Sequence, residues 1–213
     1  MIKTWIADIS PLYLEENLKK IYETIPKFRK IKADNIKPKD KKAQSAGVWY
    51  LLQSIREKYN ISDKAVFNLS HTGDYVVCAV DMDEKKDILL GVDGEVIHEV
   101  PLKLAERFYC KGEYEHILNK DEKDRLEEII RIWVLKESFM KATRRGMAIG
   151  TDTFEFDLGE NALLIRQPEE YKDKFYFREY DPKETGCRAA VCSTDNNICD
   201  HIDMEFLDLF KNI

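Results

Sequence analysis

The sequence has no long apolar run. No stretch approaches the about 20 apolar residues that a helix needs to cross a bilayer, and Asp8 stands within the part where a secretory leader has its apolar segment. The sequence therefore predicts no membrane partner and no leader, and we expect a cytoplasmic protein.

The sequence also has no excess of positive charge. It carries 34 lysines and arginines against 40 aspartates and glutamates, which gives a formal net charge of −6. Binding along a nucleic-acid backbone requires a basic surface, so we expect no nucleic-acid partner. A local basic pocket for one small anion is compatible with this charge, and the segment 26–42 is dense in lysine.

Close cysteine pairs are missing as well. The five cysteines are odd in number and scattered, and they lack the paired spacing and matching histidines of a zinc site. They stand at positions 78, 110, 187, 192 and 199. We favour free, buried thiols in a reducing cytoplasm over a metal or redox site.

Apolar periodicity predicts two long helices, at 39–59 and from Asp121 to about Gly146. Strands are expected at 3–9, 65–69, 75–81 and 87–92, and then at 88–97, 162–166, 174–180 and 187–193. Shorter helices are expected at 10–25, 101–109 and 113–118. We predict an α+β fold of two similar halves, 1–87 and 88–213, related by pseudo-two-fold symmetry. Each half is a long helix packed on an antiparallel sheet, with a cleft between the halves.

Two carboxylates stand at alternate positions of one expected strand. Asp93 and Glu95 would leave the same face of that strand. Like charges so close repel each other unless a cation neutralises them, and an all-oxygen ligand set suits Mg²⁺. The alternative is a solvated strand end.

The second long helix carries a carboxylate and an ammonium four residues apart. Glu137 and Lys141 share one helix face with Trp133, one turn earlier. The pair alone could be a surface ion pair of about 0.3–0.5 kcal/mol. The tryptophan draws this face toward the interior, where buried charges need partners, and a metal and a phosphate would supply them.

A hydroxyl and an imidazole adjoin each other near a strand end. Ser70 and His71 can both hydrogen-bond a phosphate. The alternative is a histidine satisfied within a turn.

Four segments in this order resemble the signatures of the 4′-phosphopantetheinyl transferases. They are Phe-Asn-Leu-Ser-His at 67–71, Gly-Val-Asp-Gly-Glu at 91–95, Arg-Phe-Tyr-Cys-Lys-Gly-Glu-Tyr at 107–114 and Trp-Val-Leu-Lys-Glu-Ser-Phe-Met-Lys at 133–141. The length and the two-half organisation are similar to the surfactin-synthetase-activating type, a single-chain pseudo-dimer, for which we expect a monomer.

The resemblance implies a role for each matching residue. Asp93, Glu95 and Glu137 would bind Mg²⁺, and Lys141 would contact the phosphates of coenzyme A. Ser70 and His71 would hold coenzyme A, with the histidine near its 3′-phosphate. A basic patch would meet the same phosphate, with Lys27, Lys30 and Lys32 as its candidates.

The implied reaction transfers 4′-phosphopantetheine from coenzyme A to a serine of an apo acyl or peptidyl carrier protein and releases adenosine 3′,5′-bisphosphate. Glu137 is the first candidate for the general base and Glu113 the reserve. The segment 101–118 would dock the carrier protein. The alternative is a non-catalytic homologue that binds coenzyme A or a carrier protein.

The chain departs from the family pattern at three places. Gly94 replaces an apolar residue between the two acids, which predicts a looser strand. Gln44 and Ser45 occupy the place where an arginine often begins the first long helix, so that Lys41 or Lys42 would have to supply the charge. A Gly-Lys-Pro loop before position 67 is missing, and Lys64 is its partial substitute.

Overall fold

The computed structural model describes residues 1–85, 87–205 and 207. Over this part the strands are β1 (Ile2–Asp8), β2 (Phe67–Thr72), β3 (Tyr75–Asp81), β4 (Leu90–Val96), β5 (Glu155–Leu158), β6 (Ala162–Arg166), β7 (Tyr176–Tyr180), β8 (Cys187–Ser193) and β9 (Ile198–Glu205). The helices are α1 (Glu15–Thr24), α2 (Lys27–Asp34), α3 (Lys39–Tyr59), α4 (Leu102–Phe108), α5 (Lys111–Leu118) and α6 (Glu122–Ala142). None of these helices is both long and apolar enough to span a membrane.

The strands form a four-stranded sheet of order β2-β3-β1-β9, a three-stranded sheet of order β4-β8-β7 and the hairpin β5-β6. All pairings are antiparallel except β1 with β9, which is parallel. The predicted α+β class is confirmed. The division at 87/88 and the pseudo-two-fold relation remain predictions.

Two expectations about the sheets are wrong, and one strand was not expected. The strand expected at 87–92 does not close the first sheet, because β4 pairs with β8 in the second sheet. β9 was not expected, and it joins the first sheet beside β1, so that sheet is not purely antiparallel. Its sequence, Ile-Cys-Asp-His-Ile-Asp-Met-Glu, is largely polar because the strand lies at a sheet edge with several exposed side chains.

Each long helix covers one sheet. The apolar stripe of α3, including Leu51, Leu52 and Ile55, is buried with residues of β1 and β3. α6 buries Leu135 and Phe139 in a separate core. Burial of these stripes removes apolar surface from water, which holds each helix on its sheet.

The approach of α6 to β4 depends on Gly91. A Cβ at this position would lie 2.0 Å from the carbonyl oxygen of Ser138 and 2.4 Å from the backbone nitrogen of Ala142. No side chain fits in that space. The glycine therefore lets the helix backbone rest on the strand, two residues before Asp93.

The two larger sheets meet at β2 and β4 through side chains of β2. Asn68 Oδ1 accepts a hydrogen bond of 3.0 Å from the Val92 amide, and Thr72 Oγ1 accepts one of 2.9 Å from the Val96 amide. Asn68, Ser70 and Thr72 are alternate residues of β2, so they face the same side of the strand. We call this contact the β2–β4 joint.

Candidate active site

Residues from three elements converge at the β2–β4 joint. β2 supplies Ser70 and His71, β4 supplies Asp93 and Glu95, and the last turns of α6 supply Glu137 and Lys141. Strand alternation places the two acids of β4 on one side, and the helix repeat places Glu137 and Lys141 on one face. These are the residues that the sequence singled out, and their chemical roles remain predictions.

Asp93, Ser70 and Lys141 form a hydrogen-bonded triangle. Asp93 Oδ1 accepts from Ser70 Oγ at 2.8 Å and from Lys141 Nζ at 2.7 Å, and Nζ also lies 2.9 Å from Ser70 Oγ. Asp93 is only 5% exposed. Lys141 thus pairs across the joint with Asp93, and no ion pair with Glu137 is formed within the described chain. The surface-pair alternative is therefore wrong.

The other two carboxylates, Glu95 and Glu137, are partly buried and close to like charge. Burial, and then the charge of Asp93, raise the pKa of Glu95. Burial and then the charge of Asp93 also raise the pKa of Glu137. The charge of Glu95 raises this pKa further, and the charge of Lys141 lowers it. The three carboxylates therefore repel one another, and a bound cation would reduce that repulsion.

The three carboxylates do not form a tight cluster. Among the described residues, the one group of histidine, cysteine or acidic side chains whose ligand atoms all lie within 4.8 Å of one another is elsewhere, at 199–201. The oxygens of Asp93, Glu95 and Glu137 are thus more widely spaced than that. Such a set fits an ion that keeps waters or substrate oxygens among its ligands, as Mg²⁺ does.

A lysine at the start of α3 reaches the joint. The pKa of the His71 imidazole is lowered by lost solvation first, then by the charges of Lys41 and Lys141. Lys41 also acts on Glu95. Lys42 turns away and binds Asp34 Oδ1 at 2.9 Å. Of the two lysines considered from sequence, Lys41 is therefore the one whose charge acts on His71 and Glu95.

Gln44 fixes the start of α3 rather than supplying charge. It is buried, and its Nε2 donates a hydrogen bond of 2.7 Å to the carbonyl oxygen of Gly73 in the turn between β2 and β3. The helix end that carries Lys41 is thus anchored beside the strand that carries His71. Sequence did not reveal this contact, because the residues are 29 positions apart.

The expected basic patch lies on α2. Lys27 and Lys32 are exposed, and Lys30 Nζ donates to the Glu23 carbonyl oxygen at 3.1 Å. The helix is held by Arg29, whose guanidinium lies 4.9 Å from the ring centre of Trp49. Within the described residues, no contact joins these three lysines to the β2–β4 joint, so their role remains a prediction.

Glu113 is buried and fully bonded. Its Oε2 lies 2.8 Å from the ammonium of Lys136 and accepts from the Cys110 amide at 2.8 Å, while Oε1 accepts from the Phe156 amide at 2.9 Å. Both side chains of the ion pair are fully buried. The expectation that Glu113 is a reserve base is wrong, because its oxygens are already occupied within the core.

Gly94 does not loosen β4. The strand keeps a regular antiparallel register with β8, in which Gly94 faces Ala189. A Cβ at Gly94 would lie 2.9 Å from Cγ2 of Val77. The valine therefore fills the space that a larger residue would need, and the expected loosening is wrong.

An apolar groove of about 350 Å³ opens beside Glu95. It runs between α4 and α6 within reach of the segment expected to dock a carrier protein. Its walls include Pro101, Leu104, Phe108, Ile130 and Trp133. Of the three carboxylates at the joint, Glu95 lines the groove, so a flexible chain or an acceptor side chain could approach Glu95 along it.

Comparisons with known proteins agree with these features. Residues 89–192 match the family model described as the 4′-phosphopantetheinyl transferase superfamily. The 4′-phosphopantetheinyl transferase Sfp of Bacillus subtilis (strain 168) is 29% identical over 140 residues, 66% of this chain and 60% of that protein. The transferase gsp of Aneurinibacillus migulanus is 32% identical over 133 residues, 62% of this chain and 53% of that protein.

A crystal structure of the holo-[acyl-carrier-protein] synthase of Thermotoga maritima is also similar. It has a TM-score of 0.44 and 23% identity, over 50% of this chain and 62% of that chain. The match to the Bacillus subtilis relative spans 60% of its length.

Proposed function

Because the chain belongs to the 4′-phosphopantetheinyl transferase superfamily, we propose that it transfers 4′-phosphopantetheine from coenzyme A to a serine of an apo acyl or peptidyl carrier protein. The observation that carries this proposal is the gathering of Asp93, Glu95, Glu137 and Lys141 at one joint. We further infer a cytoplasmic location, which the free thiols of all five cysteines support.

Asp93, Glu95 and Glu137 would hold Mg²⁺. All three offer oxygen ligands, and the raised pKa values of Glu95 and Glu137 reflect burial and a repulsion that a divalent cation offsets. When bound, the ion would neutralise charge on the pyrophosphate oxygens.

Lys141 would bind a phosphate oxygen of coenzyme A and stabilise the leaving bisphosphate. Its side chain is 28% exposed, so it can reach a ligand, and Ser70 and Asp93 hold its ammonium at the joint. Ser70 and His71 would contact coenzyme A from the β2 side. Lys41 adds positive charge beside His71, which suits the 3′-phosphate.

Glu137 would take the proton of the acceptor serine. The serine oxygen forms a bond to the β-phosphorus, the bond from that phosphorus to the bisphosphate oxygen breaks, and adenosine 3′,5′-bisphosphate leaves. Because Glu137 would also hold Mg²⁺, it would take the proton through a carboxylate oxygen that the ion leaves free or through a water. The groove lined by Phe108 and Trp133 opens beside Glu95 and would give the acceptor a path to the joint.

The test is transfer to a panel of apo carrier proteins of fatty-acid, polyketide and nonribosomal-peptide type, with coenzyme A and Mg²⁺, read by the mass of the carrier. Glu137→Gln should reduce transfer by about 10²–10⁴-fold, the usual contribution of a general base. Glu122→Gln, on the exposed first turn of the same helix, is the matched control and should transfer normally. Tight coenzyme A binding with no mass increase on any carrier would favour the non-catalytic homologue.

A further inference from the structure

An irregularity in the first sheet brings together three side chains of the kinds that bind metal ions. β1 and β9 are in register at Ile2 with Ile198 and again at Thr4 with Ile202, so β9 advances four residues while β1 advances two. In a regular strand, neighbouring side chains point to opposite faces. A bulge re-aims them, and here it lies at residues 199–201.

Cys199, Asp200 and His201 present different ligand atoms to one point. His201 Nδ1 lies 3.3 Å from Cys199 Sγ and 3.0 Å from Asp200 Oδ1. One ligand atom from each residue falls within 4.8 Å of the other two. The other ring nitrogen, His201 Nε2, lies 3.6 Å from Asp203 Oδ1, outside this group.

The cluster is open to solvent on one side. The side chains of Asp200 and His201 are 81% and 62% exposed, whereas Cys199 is only 9% exposed. The thiol thus forms the floor of the cluster, and the imidazole and carboxylate form its rim. An ion can enter without any movement of the core.

We propose that Cys199, Asp200 and His201 bind a thiophilic divalent metal ion of the Zn²⁺ class, with water as the fourth ligand. Sulfur, imidazole and carboxylate together are the donors that Zn²⁺ takes in four-coordinate sites. Zinc bond lengths in a tetrahedron place sulfur and nitrogen about 3.5 Å apart, close to the distance between Cys199 Sγ and His201 Nδ1 in the structure.

This site is separate from the β2–β4 joint. β9 and β2 lie at opposite edges of the four-stranded sheet, three strand spacings or about 14 Å apart. The donors differ too, since the joint offers only oxygen from its acids, which suits Mg²⁺ rather than a thiophilic ion. The two sites would therefore take different ions.

Metal binding at 199–201 should stabilise the fold at β9. The carbonyl oxygen of Cys199 accepts a hydrogen bond of 2.8 Å from the Tyr180 hydroxyl, which ties this strand to β7 of the second sheet. An ion bound only by the folded form raises stability by mass action. A metal at Cys199 would thereby strengthen the place where β9 contacts both sheets.

The test uses the full chain, stripped with a chelator and titrated with Co²⁺ as a spectroscopic probe and with Zn²⁺ by calorimetry. One equivalent of Co²⁺ should give a thiolate-to-metal charge-transfer band, and Zn²⁺ should displace it while excess Mg²⁺ should not. Cys199→Ser should abolish the band. His201→Asn should weaken Zn²⁺ binding by at least about tenfold. Cys187→Ser is the thiol control and should keep the band, because this buried cysteine lies on β8.

A second readout is the thermal midpoint. Zn²⁺ should raise it in the unaltered chain and in Cys187→Ser, but not in His201→Asn, whose metal-free midpoint should match that of the parent. The proposal is overturned if the Co²⁺ band persists in Cys199→Ser, or if Zn²⁺ binds the parent with no thiolate band. Neither result depends on transferase activity, so failure here would leave the proposed function untouched.

Discussion

Replacing Lys136 by methionine should sharply destabilise the protein. The ammonium lies 2.8 Å from Glu113 in a fully buried pair and donates to the carbonyl oxygens of Thr151 at 2.7 Å and Phe154 at 2.8 Å. Methionine keeps most of the buried side-chain stem but none of the donors. Glu113 would then have no ionic partner in the core, and two amide donors would remain as its hydrogen-bond partners.

The size of the effect follows from the distance. Two unit charges 2.8 Å apart attract by about 6 kcal/mol at an effective dielectric constant of 20. The cost of removing both charges from water offsets part of this attraction, and breaking one partner of a buried pair typically costs about 3–5 kcal/mol. We expect the loss of stability in Lys136→Met to lie at the upper end of this range, because two carbonyl oxygens also lose a charged donor. That is a large part of the about 5–15 kcal/mol that stabilises a typical domain.

Urea unfolding of four chains measures the prediction: the parent, Lys136→Met, Glu113→Gln and the double variant. In the double variant the uncompensated charge is gone, so its loss of stability should be smaller than the sum of the single losses by about 1–3 kcal/mol. Additive losses, or a loss below about 1 kcal/mol for Lys136→Met, would refute the reasoning.

Three further changes test the site. Gly91→Ala should destabilise the protein by about 3 kcal/mol or more in urea unfolding, because its Cβ would meet backbone atoms of α6 at 2.0 and 2.4 Å; a loss below 1 kcal/mol would contradict the close approach. Glu137→Gln should raise the unfolding free energy at pH 7 by about 0.5–2 kcal/mol while reducing transfer. Because the pKa of Glu137 is raised in the folded state, the stability that its protonated form gives is present in acid and is lost as pH rises through the folded-state pKa. The stability gained by Glu137→Gln should therefore vanish below pH 4, and a gain that persists there would refute this cause. For the same reason protons should compete with Mg²⁺, and binding measured by calorimetry should weaken as pH falls toward the raised pKa values of Glu95 and Glu137; pH-independent binding would contradict this. Lys41→Met should reduce the preference for coenzyme A over its 3′-dephospho form by about tenfold, the effect of one hydrogen bond to a charged group, whereas Lys42→Met, paired with Asp34, should leave it unchanged.

Sequence periodicity predicted the elements that carry the site. The strands at 75–81, 162–166 and 187–193 match β3, β6 and β8, and the two long helices match α3 and α6 within a few residues. β3 and β8 are clearly apolar because nearly every position of each is buried, and the two long helices have apolar stripes that are buried. The fixed repeats of strand and helix then made it possible to predict which acids share a face.

The sequence could not predict contacts between residues that are far apart along the chain. Lys141 stands four residues from Glu137, yet it pairs with Asp93, 48 positions away. Lys136 was not noticed, because lysine is almost never fully buried, and only the structure brings Glu113 beneath it. β9 was missed since an edge strand with exposed acids has the composition of a loop.

The β2–β4 joint explains how acids that repel one another can stay in place. Asn68 binds the amide of Val92 and Thr72 binds the amide of Val96, one residue before Asp93 and one after Glu95. The strand segment that carries both carboxylates is therefore fixed at its two ends on this side and paired with β8 on the other. Ser70, midway between the two fixing residues, bonds to Asp93 itself. A site held on rigid strands in this way does not relax to separate its charges, so the repulsion is retained until a cation binds.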